Sequence, residues 1–472
     1  MGLTMSLLTE NNIIEDIKEL NRELEQQFEE VQRVETALTR KIVSFQDNKS
    51  KPFYRWYKYK EAFSASLVHY LLEKYRTPSG KIFDPFAGIG TTLFASASLG
   101  YDSEGIELLP VGQVIIQNRA YAEFKISSKD IAVLKKWKNK QPWNQNVCPK
   151  SINSLRITQG AYPPETEIKI GKYLSELEKE NHSIANLLFF ALICVLEIVS
   201  YTRKDGQYLR WDYRSGRGNG QNKFNKGKIW VFDEAIFEKI KQILFDIEHP
   251  QGGDLFATQS NRPGKIHLHK GSCLDVLPTL ENNYYQAIIT SPPYCNRYDY
   301  TRTYALEHAI LGIGEEGLIK LRQAMVSCTV ENRPKELGDF CSSYDDVSRI
   351  FQKQDLINTI IDFLEQQKKN KNLNNNGIPR MVKGYFYEMT AVILECHRVL
   401  KHEGFLFMVN DNVRYAGMSI PVDLILSKIA QDIGFIITNI LVLPQSKGNS
   451  SQQMGDYGKE ALRKCVYVWR KP

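Results

Sequence analysis

An α/β fold, a mainly parallel sheet with helices on both faces, is what this 472-residue chain predicts, and three stretches predict it. The first, KIFDPFAGIGTTLFASASLGYDSEGIEL from Lys81, reads as strand, glycine-rich turn, helix and strand. The second runs from KIHLHKGSCLDVL at Lys265 into YYQAIITSPPY. There the apolar run Ala287-Ile288-Ile289 ends abruptly at two prolines, which stop a strand and stiffen the backbone beyond it. The third, from Met389 to Lys471, reads as helix, strand, helix, strand and a last strand, KCVYVWRK.

Two long segments, 111–264 and 303–379, interrupt this alternation. Both fall where the loops at the carboxyl ends of the strands belong, the edge at which open α/β sheets bind ligands. The organisation expected is therefore an N-terminal helical segment (1–50), a sheet domain built from 51–110, 265–302 and 380–472, and two insertions. The end of the second insertion, EQQKKNKNLNNNGIP, is rich in Lys and Asn and reads as a solvated linker. In residues 12–46, free of Gly and Pro, apolar residues at Ile17, Leu20, Leu24, Val31, Val34 and Leu38 follow heptad steps. Gln27 and Lys41 break that seam, so a helix packed on its own domain is expected. The alternative is a coiled coil that makes a homodimer.

Composition is that of a globular protein, 42% hydrophobic and 24% charged, with a net charge of +7 that suits a nucleic-acid partner without requiring one. Eight cysteines without a C-x-x-C pair exclude a zinc ribbon and a dithiol redox motif, and they suit a reducing, cytoplasmic location. MGLTMSLLTENN lacks a basic start followed by an apolar core, so no signal peptide is expected. The longest apolar run, Leu187 to Leu196, is too short to span a membrane and reads as a buried core helix. His267 and His269 read as one face of a strand, and no metal site is expected.

In Asp84-Pro85-Phe86-Ala87-Gly88-Ile89-Gly90-Thr91-Thr92 the glycines let the backbone turn tightly and approach a ligand. The helix starting near Thr91 aims its free N–H groups into the same space. Glu107 ends the next strand, 17 positions after Gly90, where a carboxylate can accept from both ribose hydroxyls. The third glycine of a dinucleotide fingerprint would fall at Leu93, which argues against NAD or FAD, and no P-loop occurs. A nucleoside without a pyrophosphate is the ligand expected, and S-adenosyl-L-methionine fits that description.

FDPFAGIGTT resembles the cofactor motif of amino-directed DNA methyltransferases, and SPPY resembles their catalytic motif. Trp56–Leu72 is similar to the family segment that contacts the methionine part of the cofactor, with Phe63 as its aromatic and Tyr59 and Ser64 beside it. Asp275 matches the acid that contacts adenine. The resemblance implies a Rossmann-like class I methyltransferase sheet, S-adenosyl-L-methionine as cofactor, and double-stranded DNA as substrate. It also implies a role beside a cognate restriction endonuclease. It covers 53–108, 270–302 and about 384–470, and not the middle of the chain.

The exocyclic amine of cytosine or adenine is a poor nucleophile, because its lone pair is delocalised into the ring. Acceptors for its two hydrogens localise that lone pair. The resemblance assigns this role to the Ser291 side chain and the Pro292 carbonyl, whose direction proline fixes with Pro293 behind it. Tyr294 offers a face on which an extruded base can stack. Cytosine C5 chemistry needs a thiolate, usually in a Pro-Cys dipeptide, and none occurs here. In the family a leading Ser is more typical of cytosine N4 enzymes, while Asp or Asn is more typical of adenine N6 enzymes. Cytosine N4 is therefore expected, with adenine N6 as the alternative and an RNA amine as the second.

Tyr201–Lys228 carries eight cations, among them Arg203, Lys204, Arg210, Arg214 and Arg217, against two acids, with aromatics interleaved. Arginines there can pair with guanine or phosphate, and the loop is expected to contact DNA. A solvated charged loop is the plainer reading. Arg297 and Arg302, just after SPPY, are expected to hold phosphates beside the extruded base or to order the catalytic loop.

Overall fold

The structure, a computed structural model, describes residues 2–205, 208–217, 223–250, 263–339, 344–444 and 462–472; Cys341 and parts of the basic loop lie outside them. In chain order the strands are β1 (Gln32–Val34), β2 (Ile82–Asp84), β3 (Ser103–Glu107), β4 (Thr202–Lys204), β5 (Leu209–Trp211), β6 (Ile266–Lys270) and β7 (Tyr285–Thr290). They continue with β8 (Leu400–Asp411), β9 (Val413–Tyr415), β10 (Met418–Ile420), β11 (Ile436–Val442) and β12 (Lys464–Arg470). Two pairs, β4 with β5 and β9 with β10, are separate hairpins. The others form one sheet in the order β1-β11-β12-β8-β7-β2-β3-β6.

Within that sheet β12 runs antiparallel to both neighbours, and every other described pairing is parallel. The α/β sheet expected from sequence is therefore present. Period-two alternation divides its side chains between two faces. Ile288, Leu406, Met408 and Tyr467 enter one core, under the helices Ile378–Val399 and Val422–Ile433. Ala287, Ile289, Phe407, Val409 and Val468 enter the other, under Ala65–Lys74. From β2 the chain builds outward through β3 and β6, then returns to lay β7 on the other side of β2. The crevice outside β2 and β7 is thus a topological switch point.

The first insertion begins in the helix Pro110–Phe124, which packs against β3 and β6 and so belongs to the sheet. Beyond it, the helices Ser128–Lys140, Pro164–Leu177, His182–Val199 and Phe232–Glu248 share a separate core around Trp137, Trp143 and Tyr173. His182–Val199 is long and apolar enough to cross a membrane by length and composition. It lies inside this bundle, with Leu187, Leu188, Leu192 and Leu196 fully buried, as expected for a core helix.

Two expectations fail. The N-terminal helix spans Gly2–Gln27 and does not continue to residue 46. Gln32–Val34 instead adds β1 to the sheet edge beside Ile440–Val442. Heptad-spaced Val31 and Val34 cannot distinguish the two states, and ladder hydrogen bonds to β11 outweigh local helix propensity. Ile17 and Phe28 are buried, and Leu20 and Leu24 pack against the same core, so the apolar seam is covered within the chain. The second, the linker, fails in part: Glu365–Lys369 completes the helix Asp355–Lys369, while residues 370–377 are irregular and largely exposed, as expected. Ile17→Ala should lower unfolding free energy by about 2–5 kcal/mol. Urea unfolding should give the same loss at every protein concentration; a concentration-dependent loss would mean a dimer seam instead.

Candidate functional site

A cavity of about 900 Å³ opens at the carboxyl ends of β2, β3, β7 and β8. The glycine turn lines it through Asp84, Pro85, Phe86, Ala87, Gly88 and Thr91, and Glu107 closes one side. Ser291, Pro292, Pro293 and Tyr294 line it from β7, and Tyr59 and Phe63 from the segment before β2. The two motifs are tied directly. Thr290 Oγ1 donates to Asp84 Oδ1 at 2.7 Å, and Thr92 Oγ1 donates to the Ile289 carbonyl at 3.0 Å.

The turn is built by backbone. Gly88 and Gly90 have φ of 58° and 81°, in the left-handed region that favours glycine. The Gly88 N–H donates to Glu107 Oε2 at 2.7 Å, and the Leu109 N–H donates to Oε1 at 2.6 Å. When the group is ionised, each oxygen keeps a further lone pair for the cavity. Burial pushes Glu107 up to about 8 and Asp84 up to about 6. A residue that sequence reading missed completes the turn. A Cβ on Gly112 would lie 2.4 Å from the Gly88 carbonyl and 2.8 Å from Glu107 Cγ.

Ser291 Oγ has the geometry to donate its proton to the Val409 carbonyl or to the Tyr294 hydroxyl, each at 3.2 Å. Burial, with Asp411 adding to it, raises the Tyr294 pKa, so the hydroxyl keeps its proton. The Cys295 thiol, beside the motif, is buried and its pKa is likewise pushed up by burial. That state does not supply a thiolate nucleophile.

Four expected cofactor residues stand elsewhere. Ser64 is buried and donates to the Ile42 carbonyl at 2.6 Å. Thr92 is spent on Ile289, and Gly90 packs against Ile116 and Phe94 without lining the cavity. Asp275 is exposed on the short helix Cys273–Val276; from that turn Gly271, Ser272 and Cys273 reach the cavity. A matching spacing in sequence could not reveal which side of one helical turn faces inward.

The cavity also collects residues that no motif announced. Glu61 accepts from the Tyr298 and Tyr304 hydroxyls. Asp411 and Lys464 lie 3.4 Å apart across the β8–β12 ladder. Asn374, from the segment read as a solvated linker, accepts from Arg297 Nη1 at 2.9 Å, and both line the cavity. Arg297 has φ 66°, a strained conformation for a non-glycine residue and one found at functional loops.

The basic loop divides by orientation. Lys204 is buried and donates to Glu307 at 2.5 Å and to the Tyr57 hydroxyl at 2.9 Å, so it is not a DNA contact. Arg214 forks onto buried Asp212 at 2.7 and 2.9 Å and holds that carboxyl well below its usual range. It shapes the loop. Arg302 is engaged by Asp299 and Glu331. Arg203 and Arg210 are exposed, and Arg217 is exposed while donating to the Arg156 carbonyl and stacking over Trp211. Asp205 and Tyr208 carry this hairpin to the rim of the cavity.

Residues 10–112 match the family model described as DNA methylase. The Type II methyltransferase M.AvaI of Nostoc sp. is 56% identical over 463 residues, 98% of this chain and 95% of that protein. The Type II methyltransferase M.BsoBI of Geobacillus stearothermophilus is 40% identical over 469 residues, 94% of this chain and 90% of that protein. The Type II methyltransferase M.MjaII of Methanocaldococcus jannaschii is 38% identical over 78 residues, 16% of this chain.

Alanine is better than glycine in a helix by about 1 kcal/mol, so Gly112→Ala should raise Tm if there were room. The contacts at Gly88 and Glu107 predict a fall instead, read by thermal unfolding. A second expectation concerns pH. The ordinary values of Glu107 and Asp84 are 4.5 and 3.8, so the native state holds both protons longer than the unfolded chain. Their contribution to stability is full below those values and is lost as pH rises through about 6 and then about 8. Glu107→Gln should flatten the fall in Tm across that window, and an unchanged slope would place the titration on other groups.

Proposed function

This chain belongs to the type II DNA methyltransferases of restriction-modification systems, and we propose that it methylates the exocyclic N4 amine of cytosine in duplex DNA. The observation that carries the reading is the joining, in one cavity, of Ser291-Pro292-Pro293-Tyr294 with the Asp84–Thr91 turn and Glu107.

S-adenosylmethionine, when bound, supplies an electrophilic sulfonium methyl group. The residues present fit it. Thr91 Oγ1 is buried at the cavity wall without a hydrogen-bond partner, which a ligand hydroxyl or carboxylate would provide. Glu107 would hold the ribose hydroxyls, and Gly88 leaves the backbone open beside them. Tyr59 and Phe63 would flank the methionine part, and Ser272 and Cys273 the adenine.

On the other side, Ser291 Oγ and the Pro292 carbonyl accept the two amine hydrogens of an extruded base, and Tyr294 stacks on its ring. Holding both hydrogens localises the lone pair and aims it, so orientation and preorganised electrostatics supply most of the rate. Arg203 and Arg210 on the hairpin, Arg217 just beyond it and Arg297 in the cavity lining would be among the cations that meet phosphates and base edges. The cytoplasm, where the DNA and the cofactor are, is the location proposed, and a cognate endonuclease is the functional partner. Adenine N6 is the alternative, because the same acceptors serve either amine.

Modification of plasmid DNA followed by mass spectrometry of its nucleosides should give 4-methylcytosine. Finding 6-methyladenine would move the target to adenine, and methylation of tRNA with none on duplex DNA would move it to RNA. Ser291→Ala should lower the transfer rate about 100-fold or more, as loss of a preorganised hydrogen-bonding group does at comparable sites. Full activity in that variant would refute the role given to Ser291.

A further inference from the structure

Four side-chain and backbone groups at the carboxyl edge form a line: Lys464, Tyr294, Ser291 and the Val409 carbonyl. Lys464 opens β12 and faces Asp411 across the ladder, with Nζ 3.4 Å from Asp411 Oδ1. Its Nζ lies 5.6 Å from the Tyr294 ring centre and interacts with the Tyr294 hydroxyl. That hydroxyl is 3.2 Å from Ser291 Oγ, which is 3.2 Å from the Val409 carbonyl oxygen. Burial opposes the Lys464 charge, but Tyr294 and Asp411 outweigh it and raise the pKa, so the group is an ammonium.

The two ends of this line are fixed and the middle is not. An ammonium can only donate, a carbonyl can only accept, and each hydroxyl owns one proton that it can turn either way. Ser291 Oγ has the geometry to donate its one proton to either oxygen; donation from Lys464 into Tyr294 favours the arrangement that runs Lys464 to Tyr294, Tyr294 to Ser291, Ser291 to Val409. We propose that Lys464 is a positioning residue for methyl transfer, setting this direction so that Ser291 Oγ is left with a lone pair and no free proton toward the cavity. The inference rests on the reading of Ser291 as the acceptor of an amine hydrogen. A Ser291 whose proton pointed into the cavity would face an amine N–H with a donor and could not localise its lone pair. Without the ammonium, Tyr294 can accept from Ser291, and the two hydroxyls divide between opposite directions.

Lys464→Met should lower kcat about 10- to 100-fold, the usual cost of losing a group that orients a reacting one. KM for cofactor and for DNA should change little. Lys464→Arg, which also only donates and can pair with Asp411, should recover most of the loss. Tyr294→Phe keeps the stacking face and leaves Ser291 only Val409 to donate to. In that background Lys464→Met should therefore cost nothing further. If Lys464→Met fails to fold through the stranded Asp411 carboxylate, Lys464→Met with Asp411→Asn carries the same comparison.

Additive losses in the double variant would overturn the proposal. So would an effect confined to KM for DNA with an altered salt dependence, which would make Lys464 a phosphate contact. Ser291→Ala separates the two levels. If it retains transfer, the acceptor reading itself fails; if it is inactive while Lys464→Met is fully active, only the wiring fails.

Discussion

Asp84 is a carboxyl group buried at the end of a central strand, and the site depends on how it is kept there. It accepts from Thr290, the last residue of β7, and from the Phe86 backbone within its own turn. One side chain therefore fixes the glycine turn of β2 and joins it to the strand that carries Ser291. Thr92 makes the reciprocal tie to Ile289. A buried carboxyl is tolerable only when hydrogen-bonded, and these partners make the distance between the two halves of the site a property of the sheet. A methyl transfer in which donor and acceptor must align within fractions of an ångström requires such rigidity.

The helical module is attached by the same principle of one buried, fully engaged group. Lys204 on β4 reaches Glu307 and Tyr57, and its ammonium lies 4.6 Å from the centre of the Tyr304 ring. Tyr304 stacks on Tyr59 at 5.1 Å and donates to Glu61, and both of those residues line the cavity. The basic hairpin is thus anchored to the cavity-lining segment Tyr59–Phe63 through a buried ion pair. Truncating one member would strand the other charge, which is far costlier than the pair is stabilising. The exposed arginines of the hairpin are held at the cavity rim by that anchor.

The sheet and both motifs were legible because their signals are local. Apolar runs closed by Gly or Pro mark β2, β3 and β7, and proline and glycine act on the backbone wherever they stand. Residues whose roles depend on facing direction were not legible. Lys204 and Arg203 are neighbours in sequence, yet strand alternation sends one into an ion pair and leaves the other exposed. Asp275 sits on the outer side of a single helical turn. Lys464, Asp411 and Asn374 are brought to the site from far along the chain, and nothing around them in sequence marks them. The strand at Gln32–Val34 was hidden because a seven-residue apolar step suits a helix and its partner lies some four hundred positions away.

Serine at the head of Ser291-Pro292-Pro293-Tyr294 has a consequence that aspartate or asparagine would not have. A carboxylate presents only acceptors, and an amide oxygen is always an acceptor once the amide is oriented. A hydroxyl carries a proton that must be sent somewhere other than the amine it is to receive. Val409 provides the place, since a backbone carbonyl cannot donate. The Tyr294 hydroxyl, at the same 3.2 Å, competes for the proton unless something donates to it first. The acceptor role proposed for Ser291 therefore cannot be a property of the four-residue motif alone. It belongs to the motif together with β8 and β12, the strands that carry Val409, Asp411 and Lys464 to the same edge.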